Sequence, residues 1–225
     1  MAAMAPGPSV HPVAREGFAD ADLYERARPG YPPEVVAWLV DHLRLGPSRV
    51  AVDLAAGTGK LTRLLVASGA RLLAVEPVAG MRTVLAGVCR GVPVVAAGAE
   101  RLPLRTGSAD AVTVAQAFHW FDADAAFGEL HRVLRPGGRV GLVWNVRDRS
   151  VDWVDRIWAV MDRVERRAPW RDHDRADDDV AVLPRAEQAA VLAEVRAVLS
   201  THPDTAGRRE VLIPYRVDCL WVERR

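Results

Sequence analysis

The stretch Val50-Ala51-Val52-Asp53-Leu54-Ala55-Ala56-Gly57-Thr58-Gly59-Lys60-Leu61-Thr62 decides how this chain is read. Its short apolar run reads as a buried strand, its glycines as a tight turn, and its end as the start of a helix. Such a turn leaves bare backbone N–H groups and the positive end of a helix beside a ligand. Glycine lets the backbone take positive φ and lets a ligand approach closely. Glu76 closes the next strand, 17 residues beyond Gly59, about where a carboxylate meets a ribose in nucleoside-binding α/β folds. A carboxylate can accept from both ribose hydroxyls.

Two look-alikes fit the loop less well. A P-loop needs Gly-x-x-x-x-Gly-Lys-Ser/Thr. Here Leu54 stands at the first glycine position, and Leu61 replaces the hydroxyl that would hold magnesium. A dinucleotide fingerprint needs Gly-x-Gly-x-x-Gly, and Thr62 stands at its third glycine. A glycine turn that binds nothing would share the loop's sequence, so the loop alone leaves the choice open.

Outward from this stretch, strands and helices alternate. A helix starts near Pro33, with Val35, Val36, Leu39, Val40 and Leu43 at helical spacing, and Gly46-Pro47 stops it. The expected strands are 49–54, 71–76, 92–96, 110–115 and 139–145. The helices between them are expected at 58–68, at 79–90 and after Asp122, a residue suited to capping. In the last of these Ala123, Phe127, Leu130 and Leu134 should face inward, and Arg135-Pro136-Gly137-Gly138 should turn the chain. This alternation predicts an α/β fold: a Rossmann-like, doubly wound, mostly parallel sheet with helices on both faces. Ligands in such sheets bind beyond the carboxyl ends of the strands.

The pattern then changes. Val154, Ile157, Trp158, Met161 and Val164 mark a helix, residues 168–179 are charged and irregular, and residues 187–199 form a helix with Val191, Leu192, Val195, Val198 and Leu199 on one side. Ile213, Tyr215, Val217, Cys219 and Trp221 alternate along a terminal strand, with Pro214 near its start. The expected organisation is a tail over 1–13 and one domain over 14–225. Its parts are an N-terminal lid and helix (14–47), a cofactor-binding core (48–146) and a C-terminal part (147–225).

The 225 residues carry a formal net charge of +1, so no charge excess points to nucleic acid or an anionic membrane. Two cysteines make neither a disulfide framework nor a zinc site. Residues 1–13 lack a basic region followed by a sustained apolar run, and no apolar run reaches the ~20 residues of a membrane helix. These features predict a cytoplasmic protein without membrane, nucleic-acid or metal partners. Asp172, His173 and Asp174 fall in the charged stretch and read as solvated rather than as metal ligands.

A family resemblance joins these pieces. Residues 52–59 resemble the first motif of class I S-adenosylmethionine-dependent methyltransferases, with Ala55 at a position that is often glycine. The likeness continues through Val75-Glu76-Pro77 and Met81, then Gly98-Ala99-Glu100-Arg101-Leu102-Pro103, and Gln116-Ala117-Phe118-His119-Trp120-Phe121. It ends in Glu129-Leu130-His131-Arg132-Val133-Leu134-Arg135-Pro136-Gly137-Gly138. These look like the type 11 small-molecule methyltransferases, and residues 24–32 resemble the lid of a subgroup near the trans-aconitate methyltransferases.

The resemblance implies a role for each matching position. The backbone at Ala55, Ala56, Gly57 and Gly59 would face S-adenosylmethionine, and Asp53 would orient the loop or the cofactor's amino group. Glu76 would take the ribose hydroxyls, with Pro77 and Met81 beside the adenine and Ala99 and Glu100 reading its edge. Gln116 and Ala117 would lie under the methionine part, and Tyr24 would close over it. His119, after the fourth strand, is the acid/base candidate, because a neutral imidazole can accept a proton near pH 7. A histidine that only shapes the pocket is the competing reading.

The implied activity is methyl transfer to an oxygen, carbon or carboxylate of a small molecule. A cofactor-binding protein that has lost catalysis is the alternative, with a nicotinamide-dependent oxidoreductase behind it. In the family, a sixth strand precedes an antiparallel C-terminal strand. Here the sixth strand is short (180–183) or missing, and an open sheet edge there would favour pairing with a second copy.

Overall fold

The computed structural model describes residue 25, residues 28–165 and residues 183–225. The chain divides into two compact units. One comprises residues up to Asn145 together with Val217–Arg225, and the other Val146–Arg216.

The first unit opens with α1 (Pro33–His42). Its end is set by Arg44, at φ +54°, and not by Gly46 as expected. The Leu45 N–H donates to Val40 O and the Arg44 N–H to Asp41 O, which satisfies carbonyls that a helix end leaves open. Next come β1 (Val50–Leu54), a short α2 (Thr62–Leu65) continued as a 3₁₀ turn over Val66–Ser68, and β2 (Arg71–Val75). α3 (Ala79–Val88), β3 (Val94–Val95), β4 (Ala109–Ala115), a 3₁₀ turn (Phe118–Trp120) and α4 (Ala123–Val133) follow. β5 runs from Leu134 to Arg147 and β6 from Tyr215 to Glu223.

The sheet order is β3-β2-β1-β4-β5-β6. The pairs β1/β2, β1/β4, β2/β3 and β4/β5 are parallel. β6 is antiparallel: Gly137 N–H donates to Arg224 O and Arg224 N–H to Gly138 O, while at the far end Asp148 N–H donates to Pro214 O. Six strands with an antiparallel last one give the Rossmann-like sheet expected from the alternation, without a strand between the fifth and the last among the described residues. Residues 180–182 of the expected sixth strand, like Asp172, His173 and Asp174, lie outside the described residues.

Both faces of the sheet are covered. Val52, Leu54, Val112, Val114, Val140 and Leu142 pack on one side with Ala126, Leu130 and Val133 of α4. Ala51, Ala111 and Val143 pack on the other with Leu39 of α1, Leu43 that caps it, and Leu61 and Leu65. Gly141 lets α1 lie close, because a Cβ there would stand 2.9 Å from Leu43 Cδ1 and 3.0 Å from Leu39 Cδ2. At the amino end of the sheet, Asp110 accepts from Val50 N–H (2.8 Å), Arg49 (3.1 Å) and Arg135 (2.7 and 2.8 Å).

Several local expectations are corrected. The helix expected from Thr58 starts at Thr62, because Gly57 and Gly59 hold positive φ and keep 58–61 in a turn. Arg135–Gly138 is not a turn between elements but a bulge inside β5. The register passes from Ala109↔Leu134 to Ala111↔Arg139, and Gly137 takes φ +77°. In α4 the buried stripe is Ala126, Leu130 and Val133, so Ala123 and Phe127 lie outward. Phe127 still meets the Phe118 ring, 5.0 Å between centroids. Leu192 of the later helix is also exposed, and Ile213 precedes β6 instead of belonging to it.

The second unit holds α5 (Asp152–Glu165) and α6 (Arg185–Thr201). Trp153, Val154 and Ile157 pack with Val195, Val198, Leu199 and Val211. Buried His202 joins α6 to Asp152 through Nε2 at 3.0 Å, and its Nδ1 accepts from the Asp204 N–H at 3.1 Å. The Arg147 guanidinium lies over Trp158 at 4.4 Å.

Candidate cofactor and substrate site

The parallel strands β1, β2 and β4 run the same way, and Ala55–Gly59, Glu76 with Pro77, and Gln116 with Ala117 follow their carboxyl ends, while Asp53 lies within β1. Asp53 is 1% exposed. Its Oδ2 accepts from the Thr62 hydroxyl at 2.5 Å and its Oδ1 from the Thr113 hydroxyl at 2.8 Å. Asp53 thus braces the loop against α2 and β4. Burial raises its pKa to about 6, against the opposing hydrogen bonds from Thr62 and Thr113.

The loop after β1 carries the special backbone. Ala55 has φ +53° although it is not glycine, and Gly57 (+57°) and Gly59 (+85°) share that region. A Cβ at Gly57 would meet nothing within 4 Å, so space opens above it. A Cβ at Gly59 would collide with Cys89 Sγ and Leu85 Cδ1, each at 2.8 Å. Gly59 is therefore required where the loop crosses α3. Ala56 N–H donates to Val75 O, joining the loop to β2.

Glu76 is 4% exposed and follows β2. Its Oε2 accepts from the Gly57 N–H at 2.9 Å and its Oε1 from the Val78 N–H at 2.7 Å. Burial raises its pKa, against the hydrogen bonds from Val78 and Gly57. An ionised carboxylate offers about four lone-pair sites, so each oxygen keeps one for a hydroxyl donor. These two free acceptor positions fit the two ribose hydroxyls of a nucleoside cofactor. Pro77 is half-buried and Met81 buried beside it, while Arg82 donates to the carbonyls of Glu76 (2.9 Å) and Pro77 (2.7 Å).

Ala99 is buried and Glu100 half-buried, and Glu100 Oε1 accepts from the Asp122 N–H at 3.1 Å. Their loop is held by a pair the motif reading did not single out as functional. Glu129 accepts from Leu102 N–H at 2.7 Å, and Arg132 donates to the carbonyls of Leu104 (2.7 Å) and Leu102 (2.9 Å). The two also pair with each other at 2.7 Å. Their i,i+3 spacing in 129–132 was the available signal.

After β4, Gln116 takes φ +57°, and its Nε2 donates to Asn145 O at 3.3 Å. Ala117 is buried. His119 sits half-buried in the following 3₁₀ turn, its ring 5.2 Å from that of Trp120. Phe118, Trp120 and Phe121, which follow β4, and Trp144 of β5 are partly buried and pack against the core. Tyr24 lies outside the described residues. Its neighbour Glu25 is described, and its side chain reaches Thr58 of the loop and Arg63 of α2, a contact that no sequence pattern signalled.

The loop, Glu76, the 99–100 segment and Gln116 each follow a neighbouring strand or loop of this sheet. Among the described residues no group of histidine, cysteine, aspartate or glutamate could hold a metal. No helix among them is long and apolar enough to cross a membrane.

Comparisons with known proteins identify the family of the chain. Residues 52–142 match the type 11 methyltransferase-domain family. An uncharacterized methyltransferase of Mycobacterium tuberculosis is 38% identical over 224 residues, covering 88% of this chain and 90% of its own. A demethylmenaquinone methyltransferase of Mycolicibacterium vanbaalenii is 44% identical over 99 residues, 44% of this chain and 42% of its own. The fold is similar to that of an Anaeromyxobacter dehalogenans protein solved as a candidate type II methyltransferase. Its TM-score is 0.61 at 28% identity, over 86% of this chain and 94% of that one. The chain belongs to the class I S-adenosylmethionine-dependent methyltransferases, with a type 11 methyltransferase domain.

Proposed function

We propose that the protein transfers a methyl group from S-adenosylmethionine to an oxygen, carbon or carboxylate of a small acceptor with an apolar, aromatic-sized body. The Glu76 carboxylate, bonded to Gly57 N–H with a lone pair to spare on each oxygen, carries the cofactor half of this reading. Bound S-adenosylmethionine supplies an electrophilic methyl group on a sulfonium. The backbone at Ala55–Gly59, with Pro77, Met81, Ala99, Glu100, Gln116 and Ala117, would hold it, and the lid at Tyr24 would close over it.

The acceptor half rests on Phe118, Trp120, Phe121 and Trp144, partly buried near or after the ends of β4 and β5, whose exposed parts would offer apolar surface to a flat or aliphatic molecule and would keep water from the transfer. Transfer of this kind depends mainly on alignment. His119 would take a proton from an acceptor hydroxyl, and a carboxylate acceptor needs no base. The likeness to a demethylmenaquinone methyltransferase supports an aromatic acceptor. A carboxylate acceptor would follow from the resemblance of residues 24–32 to the lid of the trans-aconitate subgroup, which is not among the relatives above. Cytoplasmic residence and pairing of a second copy along β6 belong to the same reading, and strictly monomeric scattering would count against the pairing.

Isothermal titration with S-adenosylmethionine, followed by radiolabelled transfer to quinols, phenols and small carboxylic acids, tests the proposal. Labelling of an aromatic hydroxyl should lose about a hundredfold in His119→Ala, and methylation of a carboxylate should not. Cofactor binding with no transfer to any acceptor would favour the reading in which catalysis has been lost.

A further inference from the structure

Glu25 has no part in the roles assigned above, yet it contacts both the loop after β1 and the helix that follows it. The Thr58 hydroxyl donates to its Oε2 at 2.6 Å, and Arg63 Nη2 donates to its Oε1 at 2.6 Å. The Lys60 ammonium donates to the Glu25 carbonyl at 2.6 Å and stands 3.6 Å from Oε2. Lys60 is the single lysine of the chain and directly follows Gly59. The Arg63 N–H donates to Gly59 O at 3.1 Å. Two cations, Lys60 in the loop and Arg63 in the α2 helix that follows it, are thus held together, and the Glu25 carboxylate pairs with both.

The side chains of Lys60 and Glu25 are only 12% and 26% exposed, so water screens this cluster less than it would a surface pair. The loop's charge also acts unequally on the two ligands the site must exchange. S-adenosylmethionine carries a sulfonium, an ammonium and a carboxylate, and is a net cation. Its demethylated product has lost the sulfonium charge and is neutral overall. Positive charge left beside the loop opposes the first and leaves the second nearly untouched.

We propose that Glu25 is a positioning residue that acts by charge: it is the counter-ion of Lys60 and Arg63, and it sets the loop's preference for the cationic cofactor over the neutral product. Glu25 thereby limits product inhibition. This inference rests on the S-adenosylmethionine site above. A plain hydrogen-bonded clasp would instead hold the loop equally well for both ligands, and that difference separates the two accounts.

The test is titration of the full chain with S-adenosylmethionine and S-adenosylhomocysteine at two salt concentrations. Glu25→Gln keeps an acceptor for Thr58 and removes the charge. It should weaken the cofactor about fivefold more than the product, and added salt should narrow that gap. Replacing Lys60 as well, in E25Q/K60M, should restore most of the ratio. Lys60→Met alone should shift the ratio toward the cofactor, and this single variant decides the matter if Glu25→Gln does not fold. Equal loss for both ligands, or an unchanged ratio in both variants, overturns the proposal. Wild-type protein that binds neither ligand overturns the cofactor site itself before any variant is compared.

Discussion

The Thr113 hydroxyl on β4 donates to Oδ1 of Asp53 on β1 at 2.8 Å, a bond between neighbouring strands beneath the loop that follows β1. Asp53 is thereby a structural anion, fully enclosed and balanced by hydroxyls rather than by a cation.

This enclosure predicts an acid-side stability effect. Burial raises Asp53 to about 6, above the ~3.9 of an unfolded aspartate. Between those values the folded protein keeps a proton that the unfolded chain has lost. The contribution is full below about pH 4 and is lost as pH rises through about 6. Asp53→Asn removes this dependence while keeping an acceptor for one threonine. Urea melts at pH 4.5 and 7.5 should show the variant gaining on wild type at the higher pH.

Asp110 predicts the opposite slope. Burial opposes its charge, but the Val50 N–H, Arg135 and Arg49 outweigh that cost and lower its pKa. Its stabilisation is present above the unfolded pKa and lost as pH falls through the folded one. Asp110→Asn should lower stability by about 2 kcal/mol at pH 7, and the deficit should shrink below pH 4 in the same urea assay.

Gly59 is expected to tolerate no side chain. Alanine there combines a backbone at φ +85° with contacts of 2.8 Å to Cys89 and Leu85. Gly59→Ala should cost about 2–4 kcal/mol by denaturant melting. Gly57→Ala meets no such contact and should lose about 1 kcal/mol from backbone strain alone.

The ribose role proposed for Glu76 predicts an effect on ligand binding. Glu76→Gln turns one acceptor oxygen into a donor, opposite either Gly57 or Val78 N–H. Calorimetry should show S-adenosylmethionine binding weakened by about tenfold or more. Unchanged affinity would remove Glu76 from the ribose role.

Some of these relationships were legible before any coordinates. Asp122 caps α4 as read, its Oδ1 accepting from Ala125 N–H at 3.1 Å, because capping depends on residues three apart. The rotation of α4 was not legible. The positions 123, 127, 130, 134 and 126, 130, 133 share one period, and which stripe turns inward depends on the sheet beneath. Arg135–Gly138 has the composition of a turn, and only pairing with Arg224 draws it into β5.

The sequence by itself determined the alternation of strands and helices, hence a parallel sheet. It also determined the glycine loop followed by Glu76, since strand period and glycine spacing are local properties. The tertiary structure decided what those residues hold. It gave Asp53 two hydroxyls from Thr62 and Thr113, at separations of 9 and 60 residues. It gave Glu76 the Gly57 and Val78 N–H groups, and it brought Glu25 across 33 residues to Thr58. Contacts between distant residues leave no period in a single sequence, because they exist only once the sheet has brought the strand ends together.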